Sequence, residues 1–539
     1  MTEAESIPGA GSVSLARIAD LLRSAGLLVP GEVPGEAPGR IPGAVAGEGS
    51  EGTSGMPSPE AMDIVLTGAA QDSRTVQPGE LFLAWKGTRQ DGHAFLADAQ
   101  ARGAVAAVVE DVVPGVSLPQ IQVTEGRRAA ALVAMALEGN PAKGMLVTAV
   151  TGTNGKTTTV LLVRHLLSHD RNSVALGTLG VVGPTGEVRD GLGGLTTPGP
   201  VGLARTFRRL REERVTAVAL EASSHALEQR RLDGLQVDVA CFTNLTRDHL
   251  DYHGTMEAYL GSKAHLLDLL APEGVAVVNG RDPAWARLPT IPGRLRLVRM
   301  EGSGVSGIPQ ARERLPDLTA REIRLDGEGS RFLLEERGEV AAVRLPLLGR
   351  FNVENALCAA GVARAAGMSL HRIARALSHA SGIRGRLEVV ETRPVPVILD
   401  YAHTPDALRR VLETLRPLYP GRLIVLFGAG GDRDRSKRRE MGEVAAQGSD
   451  LAIVTSDNPR TEDPDRIVDD ILSGMAGTTY ERIVDRREAI ARALEVAVEG
   501  DAILLAGKGH ETYQVVGTES RPFDEREVVR ELLEQGKLP

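Results

Sequence analysis

Residues 146–159 read LVTAVTGTNGKTTT, an apolar run followed by a glycine-rich turn and the start of a helical stretch. Glycines let backbone N–H groups point at phosphate oxygens, and the first turn of a helix adds positive potential. Lys156 would reach the β- and γ-phosphates of a nucleotide, and the Thr157 hydroxyl would ligate Mg²⁺. The loop is shorter than the usual phosphate-binding pattern, since Val150 stands where that pattern has its first glycine. We therefore predict a strand, a phosphate-binding loop and a helix.

Short apolar runs typical of buried strands recur along the chain, separated by helical stretches. GAVAAVVE (103–110) precedes the loop, and VTAVALE (215–221), VDVACFTNL (237–245) and GVAVVNG (274–280) follow it. After about residue 385 the alternation restarts with PVILDYAHTP, RLIVLFGAGGDRD, DLAIVTSDNPR and DAILLAGKGHE. This alternation predicts an α/β protein with parallel sheets. Ligands of such sheets bind beyond the carboxyl ends of the strands, where every polar motif described below falls.

Length and composition limit the function classes. The 539 residues suggest about three domains, and Pro-Gly pairs at 30, 34, 38 and 42 begin a flexible insertion that runs to about residue 60. A net charge of −9 without a long basic run argues against a nucleic-acid partner. No apolar stretch approaches the length of a membrane span, and the first residues lack the pattern of a secretion signal. Cys241 and Cys358 are too few for a disulfide framework or a zinc site, so a cytoplasmic protein is expected.

Lysine is scarce in this chain. Of 62 lysines and arginines only seven are lysines, namely Lys86, Lys143, Lys156, Lys263, Lys437, Lys508 and Lys537. The two residue types are interchangeable on a solvated surface but not in a site that needs a compact amine. Each lysine is therefore a candidate for such a site, although chance explains the terminal Lys537 equally well.

Acidic residues and histidines follow two of the predicted strands and could complete a metal site. Glu221 ends VTAVALE, where the second metal ligand of a phosphate-binding loop is expected. The segment DHLDYH (248–253) contains two aspartates and two histidines, which suit phosphate and metal chemistry. An alternative for this segment is a capped helix start with solvated charges. Lys263 lies in a predicted helix and, taken alone, is expected on the surface.

Nine motifs occur in order along the chain: TGTNGKTTT (151–159), LTTPGP (195–200), EASSHALEQRRL (221–232), FTNLTRDHLDYHG (242–254), LLGRFNVENALCAA (347–360), DYAHTPDAL (400–408), FGAGGDRD (427–434), SDNPRTEDP (456–464) and AGKGHETYQ (506–514). Together they resemble the Mur ligase family, and the likeness spans about residues 62–530. The resemblance implies an N-terminal UDP-substrate domain, a central ATP-binding domain with a parallel sheet, and a C-terminal Rossmann-like domain for the incoming amino acid. We expect these domains at 1–144, 145–383 and 384–539.

The resemblance also implies a reaction. ATP phosphorylates the D-Glu side-chain carboxylate of UDP-N-acetylmuramoyl-L-alanyl-D-glutamate (UDP-MurNAc-L-Ala-D-Glu, called the UDP-dipeptide below). The amine of a third amino acid then attacks the acyl phosphate, and loss of phosphate leaves an amide. Such a ligase serves peptidoglycan precursor synthesis in the cytoplasm, and we expect it to be a monomer. Phosphorylation supplies the leaving group that a carboxylate lacks, while Lys156 and Mg²⁺ offset the repulsion between the two anions.

By the same resemblance, certain residues hold the nucleotide and the metal. The ATP-binding positions are Gly152, Thr153, Asn154, Gly155, Lys156, Thr157, Thr158, Asn355, Arg386, Asp400 and His403. The catalytic and metal-binding positions are Lys156, Thr157, Glu221, His249 and Lys263. Lys263 matches a lysine that the family carbamylates with CO₂, and a carbamate is a hard oxygen ligand that suits Mg²⁺. Arginine cannot form a carbamate, so the resemblance replaces the surface assignment of Lys263. For Arg386 a surface position at a helix end stays open.

The resemblance places the two other substrates as well. The UDP-dipeptide is expected at Asp72, Ser73, Arg74, Thr196, Thr197, Ser223, Gln229 and Arg231. The third amino acid is expected at Arg433, Asp457, Asn458, Pro459, Arg460, Gly507 and Glu511. Meso-diaminopimelate carries a carboxylate that L-lysine lacks, and the planar fork of Arg460 can grip it while Glu511 pairs with the distal ammonium. The form Asp-Asn-Pro-Arg goes with diaminopimelate, whereas lysine-adding members usually lack this arginine.

Other functions fit the motifs less well. A lysine-adding or dipeptide-adding Mur ligase and folylpolyglutamate synthase are the nearest alternatives, and the motifs at 457–460 and 507–511 argue against them. Some related enzymes accept other diamino acids, and Arg460 could instead be a structural loop arginine, but the resemblance implies meso-diaminopimelate as the amino acid that is added. A catalytically silent nucleotide sensor would not need Lys263. A Rossmann dehydrogenase is disfavoured because no G-x-G-x-x-G follows a strand.

Overall fold

The computed structural model describes residues 13–29, 56–87, 90–189, 195–302, 307–392, 394–475, 477 and 479–536. Most of the predicted flexible insertion (30–55) and Lys537 lie outside these residues. Three main sheets organise the chain, and each is built from strands that are consecutive in sequence. The prediction of an α/β fold is confirmed. The sheets fall within the three expected domains, whose exact boundaries stay predictions.

The N-terminal part contains a four-stranded parallel sheet. The strands of this part are β1 (Val13–Ser14), β2 (Val65–Leu66), β3 (Gly68–Ala70), β4 (Glu80–Leu83), β5 (Ala106–Val109) and β6 (Gln120–Gln122). The helices of this part are α1 (Leu15–Ser24), α2 (Pro59–Met62), α3 (Leu96–Ala101) and α4 (Gly126–Leu137). Strands β3 to β6 pair in chain order, and β1 pairs with β2 separately. Helix α1 ends at Ser24, and Gly26 just beyond it adopts a left-handed φ of 68° that stops the helix from continuing.

The central part is built on a twelve-stranded sheet. Its strands are β7 (Leu146–Thr151), β8 (Ser173–Gly177), β9 (Gly180–Val182), β10 (Val188–Arg189), β11 (Ala217–Glu221), β12 (Val237–Phe242), β13 (Leu270–Asn279), β14 (Ile291–Met300), β15 (Ala311–Arg314), β16 (Leu318–Asp326), β17 (Gly329–Glu336) and β18 (Glu339–Leu345). Its helices are α5 (Lys156–Leu167), α6 (Pro200–Glu212), α7 (Ser224–Glu228), α8 (Leu250–His253), α9 (Met256–Ala264), α10 (Arg350–Ala365) and α11 (Leu370–Leu377). The order is β10-β9-β8-β11-β7-β12-β13-β14-β16-β17-β18, with β15 beside β14.

The prediction of a parallel central sheet is correct only for its middle. Strands β8, β11, β7, β12, β13, β14, β15 and β16 pair in parallel, whereas β9 and β10 at one end and β17 and β18 at the other are joined by antiparallel pairing. Arg337 and Gly338 both have positive φ in the turn between β17 and β18, which is the backbone that a tight hairpin requires. Because β18 alternates buried and exposed residues, it can form one half-solvated face.

The register of the buried middle strands positions the site. Glu221 at the end of β11 lies opposite Val150 of β7, and Phe242 at the end of β12 lies opposite Thr151. These strands are buried along almost their whole length because helices cover both faces. Their carboxyl ends therefore meet at one edge of the sheet, which is the edge where the phosphate-binding loop begins.

The C-terminal part contains a six-stranded sheet in the order β19-β20-β24-β21-β22-β23. Its strands are β19 (Glu388–Glu391), β20 (Val397–Asp400), β21 (Leu423–Phe427), β22 (Leu451–Val454), β23 (Tyr480–Arg482) and β24 (Ala502–Ala506), followed by the hairpin β25 (Tyr513–Val516) and β26 (Glu519–Pro522). Its helices are α12 (Pro405–Leu415), α13 (Ser436–Gly448), α14 (Pro464–Leu472), α15 (Arg486–Val496) and α16 (Glu525–Glu534). All six strands except β19 are parallel, so the loops after β20, β21, β22 and β24 gather at one edge.

Two further observations concern the cysteines and the helices. Cys241 and Cys358 are both buried and free. None of the helices in the described part of the chain combines the length and the hydrophobicity that a membrane span requires.

Candidate active site

The phosphate-binding loop connects β7 to α5, and two of its glycines are required by close neighbours. Gly152 and Gly155 adopt φ angles of 151° and 83°. A Cβ atom on Gly152 would lie 1.9 Å from Thr243 Oγ1, and one on Gly155 would lie 2.2 Å from Asn355 Oδ1. The second contact brings Asn355, a predicted ATP ligand on α10, directly against the loop.

The rest of the loop is fixed by the segment that follows β12. Thr153 donates its backbone N–H to Asn244 O at 2.7 Å, and its hydroxyl donates to Thr246 O at 3.1 Å. The Asn154 N–H donates to Asn244 Oδ1 at 2.9 Å. Thr158 is buried in the first turn of α5. These contacts hold the backbone of the predicted phosphate cradle in one shape.

Two lysine amines meet at one carbonyl of this loop. Lys156 Nζ donates to Gly152 O at 2.9 Å and to Thr153 O at 2.8 Å, and Lys263 Nζ donates to the same Gly152 O at 2.8 Å. Lys263 is 1% exposed, so its side chain is not on the helix surface, where the isolated motif would put it. Burial lowers the pKa of the Lys263 amine well below its ordinary value, and the nearby charge of Lys156 lowers it further. A neutral amine is the form that reacts with CO₂.

Glu221 is 1% exposed and held in place by a residue that sequence reasoning missed. Thr178 donates its backbone N–H to Glu221 Oε1 at 2.9 Å and its hydroxyl to Oε2 at 3.1 Å. A Cβ atom on Gly177 would lie 2.1 Å from Oε1, so only glycine fits there. The dipeptide Gly177-Thr178 at the end of a buried strand was the available sequence signal.

The donor atoms gathered here fit Mg²⁺. No group of three or more His, Cys, Asp or Glu side chains arranged for a metal occurs in the described residues. The predicted set contains only Glu221 and His249 of these types, because its other oxygens would come from the Thr157 hydroxyl and a carbamate on Lys263. Such hard oxygen ligands are those that Mg²⁺ prefers. The burial of the Lys263 amine, which lowers its pKa, fits the formation of a carbamate at this place.

Three histidines and a tyrosine form a cluster of rings that includes the predicted metal ligand His249. The His249 ring lies 4.9 Å from the His225 ring, and His225 lies 4.2 Å from Tyr252 and 5.5 Å from His253, all measured between ring centres. His249 adopts a left-handed φ of 52°, a strained backbone that non-glycine residues hold mainly where the surroundings impose it. Burial lowers the pKa of His225 and of His249. The sequence pointed to His249 but not to the adjoining His225.

The residues predicted for the dipeptide form one connected network beside Glu221. Thr197 donates its hydroxyl to Glu221 O at 2.8 Å and to Ser223 Oγ at 3.2 Å. Arg231 donates to Thr197 O at 2.7 Å and to Gln229 Oε1 at 2.7 Å. Thr196 Oγ1 lies 3.3 Å from Thr178 Oγ1.

The motif predicted for the uridine end lies in the N-terminal part. Ser73 is buried, and Asp72 accepts hydrogen bonds from the backbone N–H and the guanidinium of Arg74. The preceding Gln71 reaches the central part, since a Cβ atom on Gly199 would lie 2.6 Å from Gln71 Nε2. The motif and the dipeptide network are therefore neighbours across the first domain junction.

The C-terminal part reaches the phosphate-binding loop through two side chains. Arg386 Nη2 donates to Thr157 Oγ1 at 3.2 Å, which excludes the open alternative of a surface arginine at a helix end. Asn154 Nδ2 donates to Asp406 Oδ2 at 3.3 Å, a contact that sequence reasoning missed although the motif DYAHTPDAL contains this aspartate. The Arg386 guanidinium stacks on the Tyr401 ring at 4.9 Å.

The remaining two predicted ATP contacts, Asp400 and His403, bond to the backbone of their own domain. Asp400 Oδ2 accepts the Leu387 N–H at 2.8 Å, and burial raises the pKa of this carboxyl. His403 Nδ1 lies 2.8 Å from Tyr401 O. Asp400 thus shapes the turn that carries Arg386.

The residues predicted for the third amino acid gather where β21, β22 and β24 end. Asn458 Nδ2 donates to Glu511 Oε2 at 2.8 Å, and a Cβ atom on Gly507 would lie 2.7 Å from Asp457 Oδ2. A Cβ atom on Gly430 would lie 2.9 Å from Arg460 Nη1 and 3.7 Å from Arg433 Cγ. One Cβ atom on Gly431 would lie 1.8 Å from Pro459 O.

Arg460 has the geometry of a guanidinium held ready for a ligand. Its backbone adopts a left-handed φ of 53°, and hydrogen bonds to Val515 and Gly517 fix it there. Nη1 donates to Gly431 O at 2.6 Å, which orients the planar group and leaves other N–H donors for a ligand.

The chain matches three Mur ligase domain families. They are the Mur ligase middle domain over residues 150–363, the Mur ligase glutamate ligase domain over 385–509, and the Mur ligase family catalytic domain over 66–135.

Proteins named UDP-N-acetylmuramoyl-L-alanyl-D-glutamate–2,6-diaminopimelate ligase are similar over most of the chain. The one from Xylella fastidiosa is 45% identical over 493 residues, which cover 88% of this chain and 95% of the relative. The one from Bradyrhizobium diazoefficiens is 43% identical over 475 residues, or 87% and 95%. A solved structure with the same name is 34% identical, with a TM-score of 0.62 over 88% of this chain and 96% of that chain. The MurF ligase of Thermotoga maritima in complex with ADP shares the fold, at 19% identity and a TM-score of 0.60 over 87% and 97%.

Proposed function

Because the chain belongs to the Mur ligase family, we propose that it is an ATP-dependent amide ligase that adds meso-2,6-diaminopimelate to the UDP-dipeptide. One observation carries the proposal. The phosphate-binding loop, the carboxylate of Glu221 and the buried amine of Lys263 lie at one edge of the central sheet, and Arg386 of the amino-acid domain reaches Thr157 in that loop. This contact supports a nucleotide site and an amine site that would be joined across one domain junction.

The first step forms an acyl phosphate. A carboxylate oxygen of the D-Glu side chain attacks the γ-phosphorus of ATP, and ADP leaves with the electrons of the broken P–O bond. Lys156, which now donates to loop carbonyls 2.8–2.9 Å away, would turn its ammonium to the β- and γ-phosphates. Arg386 would add a second cation from the other side, so that two anions can approach.

The metal site supports this step. Thr157, Glu221 and Lys263, the last as N6-carboxylysine, would hold Mg²⁺, with His249 close to the reacting groups. Mg²⁺, when bound, neutralises charge on the phosphates. Thr178 keeps the Glu221 carboxylate fixed, and the low pKa of the Lys263 amine favours the carbamate.

The second step forms the amide. The neutral amine of the incoming amino acid attacks the acyl carbon, the tetrahedral intermediate expels phosphate with the electrons of the broken C–O bond, and the proton lost by the nitrogen ends on the released phosphate. Thr197, Ser223, Gln229 and Arg231 would hold the dipeptide so that its carboxylate faces the loop. Domain contacts such as Asn154–Asp406 would keep water out while the acyl phosphate exists.

The choice of amino acid rests on Arg460 and Glu511. A planar guanidinium can bind the distal carboxylate of diaminopimelate with two hydrogen bonds, and Glu511 can accept from its ammonium. L-lysine would leave the Arg460 charge without a partner in a partly buried pocket, which such sites penalise.

The test is phosphate release from ATP by the purified protein with Mg²⁺ and the UDP-dipeptide. Meso-diaminopimelate, L-lysine and no amino acid are supplied in parallel. Release with diaminopimelate alone supports the full proposal, and release with L-lysine alone keeps the ligase but overturns the amino acid. Release with neither, at ATP and UDP-dipeptide concentrations that saturate binding, rejects the ligase.

A further inference from the structure

Lys508 is a buried lysine that the proposed reaction does not use. It follows β24 in the motif Gly507–Glu511, and its side chain has no exposed surface. Burying an ammonium is costly unless it is paired and hydrogen-bonded. In a chain with only seven lysines, a buried one requires a specific reason.

The partners of Lys508 are two residues of the amino-acid pocket. Its Nζ donates to Glu511 Oε2 at 3.1 Å and to Asn458 Oδ1 at 3.2 Å. Asn458 in turn donates its Nδ2 to the same Glu511 oxygen at 2.8 Å. The three side chains form a closed triangle that ties the loop after β22 to the loop after β24.

The triangle also fixes which Glu511 oxygen a ligand can use. In the described part of the chain both side-chain donors reach Oε2, which leaves Oε1 to accept a hydrogen bond from a ligand. The Glu511 side chain is 14% exposed, so it can meet a ligand, whereas Lys508 cannot. The Val515 N–H donates to Asn458 Oδ1 at 2.9 Å and keeps the amide from turning.

We propose that Lys508 is a positioning residue for the incoming amino acid, and this rests on the proposed function. Its ammonium holds Asn458 and Glu511 in the arrangement that receives the distal ammonium of a diamino acid. It also offsets the charge of Glu511. A lone Glu511 would attract any cationic side chain, including that of L-lysine, whereas a Glu511 paired with Lys508 favours a ligand that also satisfies Arg460.

The experiment compares wild type with Lys508→Met, which keeps most of the side-chain volume but removes charge and donors. We expect the KM for meso-diaminopimelate to rise about tenfold to a hundredfold, the range expected for one hydrogen bond to a charged group. The KM values for ATP and the UDP-dipeptide should stay the same. The preference for meso-diaminopimelate over L-lysine should fall. Lys508→Gln, which retains amide donors, should recover part of the lost affinity.

The matched control is Lys86→Met. Lys86 pairs with Asp111 at 2.6 Å, but both side chains are about 60% exposed and lie in the N-terminal part. This variant should have wild-type KM values for all three substrates. Circular dichroism and thermal melting should show that each variant is folded, and if Lys508→Met is not, Lys508→Gln decides the matter.

Two results would overturn the positioning role. One is a folded variant with a wild-type KM for meso-diaminopimelate, and the other is an equal rise in all three KM values, which marks a general structural role. Failure of the proposed function is seen separately, because wild type itself would then not use meso-diaminopimelate. If wild type uses L-lysine instead, the Lys508 variants are judged by their KM for L-lysine.

Discussion

Replacing Arg460 with alanine should separate meso-diaminopimelate from L-lysine as substrates. The Arg460 guanidinium already gives one hydrogen bond to Gly431 O, at 2.6 Å, and two of its remaining N–H groups can grip one carboxylate. A hydrogen bond to a charged group contributes about 1.5–3 kcal/mol, so loss of the pair costs about 3 kcal/mol even when part of it is recovered from water. That corresponds to a rise of about a hundredfold in the KM for meso-diaminopimelate.

Backbone strain at residue 460 should not differ between wild type and Arg460→Ala. Arg460 has a φ of 53°, and alanine at that position carries a similar conformational cost, since both residues have a Cβ atom. Arg460→Lys keeps the charge but loses the planar fork, so it should recover only a small part of the affinity. Arg466 pairs loosely with Asp463 on the surface and is 80% exposed, so Arg466→Ala is the matched control.

The assay is steady-state phosphate release with each amino acid varied at saturating ATP and UDP-dipeptide. Arg460→Ala should lose turnover with meso-diaminopimelate at low concentration, while turnover with L-lysine, which has no distal carboxylate, should not fall. The KM for ATP should be that of wild type. An unchanged KM for meso-diaminopimelate in the folded variant would refute the fork argument.

Three other perturbations test the rest of the site. Lys263→Met cannot carry a carbamate and should lower kcat about a thousandfold, which corresponds to the loss of one ionic contact of about 4 kcal/mol. Calorimetry should show that this variant still binds the UDP-dipeptide. Added bicarbonate should not restore its kcat. Thr178→Val removes the hydroxyl bond to Glu221 and should lower kcat about tenfold with an unchanged KM for meso-diaminopimelate; wild-type kcat would contradict this. Burial lowers the pKa of His510 to about 3, so the unfolded chain takes up a proton below about pH 6.5 that the folded chain does not. In urea unfolding, the free energy of unfolding of wild type should therefore fall by about 1.4 kcal/mol more than that of His510→Asn between pH 7.5 and pH 5.5. An equal pH dependence in the two proteins would contradict this.

Much of the fold followed from local patterns. Runs such as VTAVALE form strands, as the apolar pattern predicts, because a strand that is covered on both faces must be apolar along its length. The antiparallel ends of the central sheet were not predicted. Strand β9 is buried, but β10, β17 and β18 include exposed residues, and β17 and β18 are joined by a tight turn at Arg337-Gly338 that an apolar pattern does not reveal.

The chemistry of the phosphate-binding loop could also be predicted from residues that are adjacent in the chain. Gly152, Gly155, Lys156 and Thr157 are contiguous, and their roles depend on backbone geometry within a few residues. The role of Arg460 was inferred from the motif Asp-Asn-Pro-Arg and its resemblance to the family, and it stays a prediction. Both motifs are contiguous in the chain, so the residue types that they combine are visible before folding is considered.

Contacts between segments that are distant in the chain could be found only in the folded protein. Thr178 and Glu221 lie 43 residues apart, Lys508 and Asn458 lie 50 apart, and Asn154 and Asp406 lie 252 apart. Lys263 looks like a surface lysine in its helix, yet it is buried because the helix packs against the phosphate-binding loop and its amine meets Gly152 O. The burial and pairing of a residue depend on which distant segments pack against it. The residues next to it in the sequence do not reveal those segments.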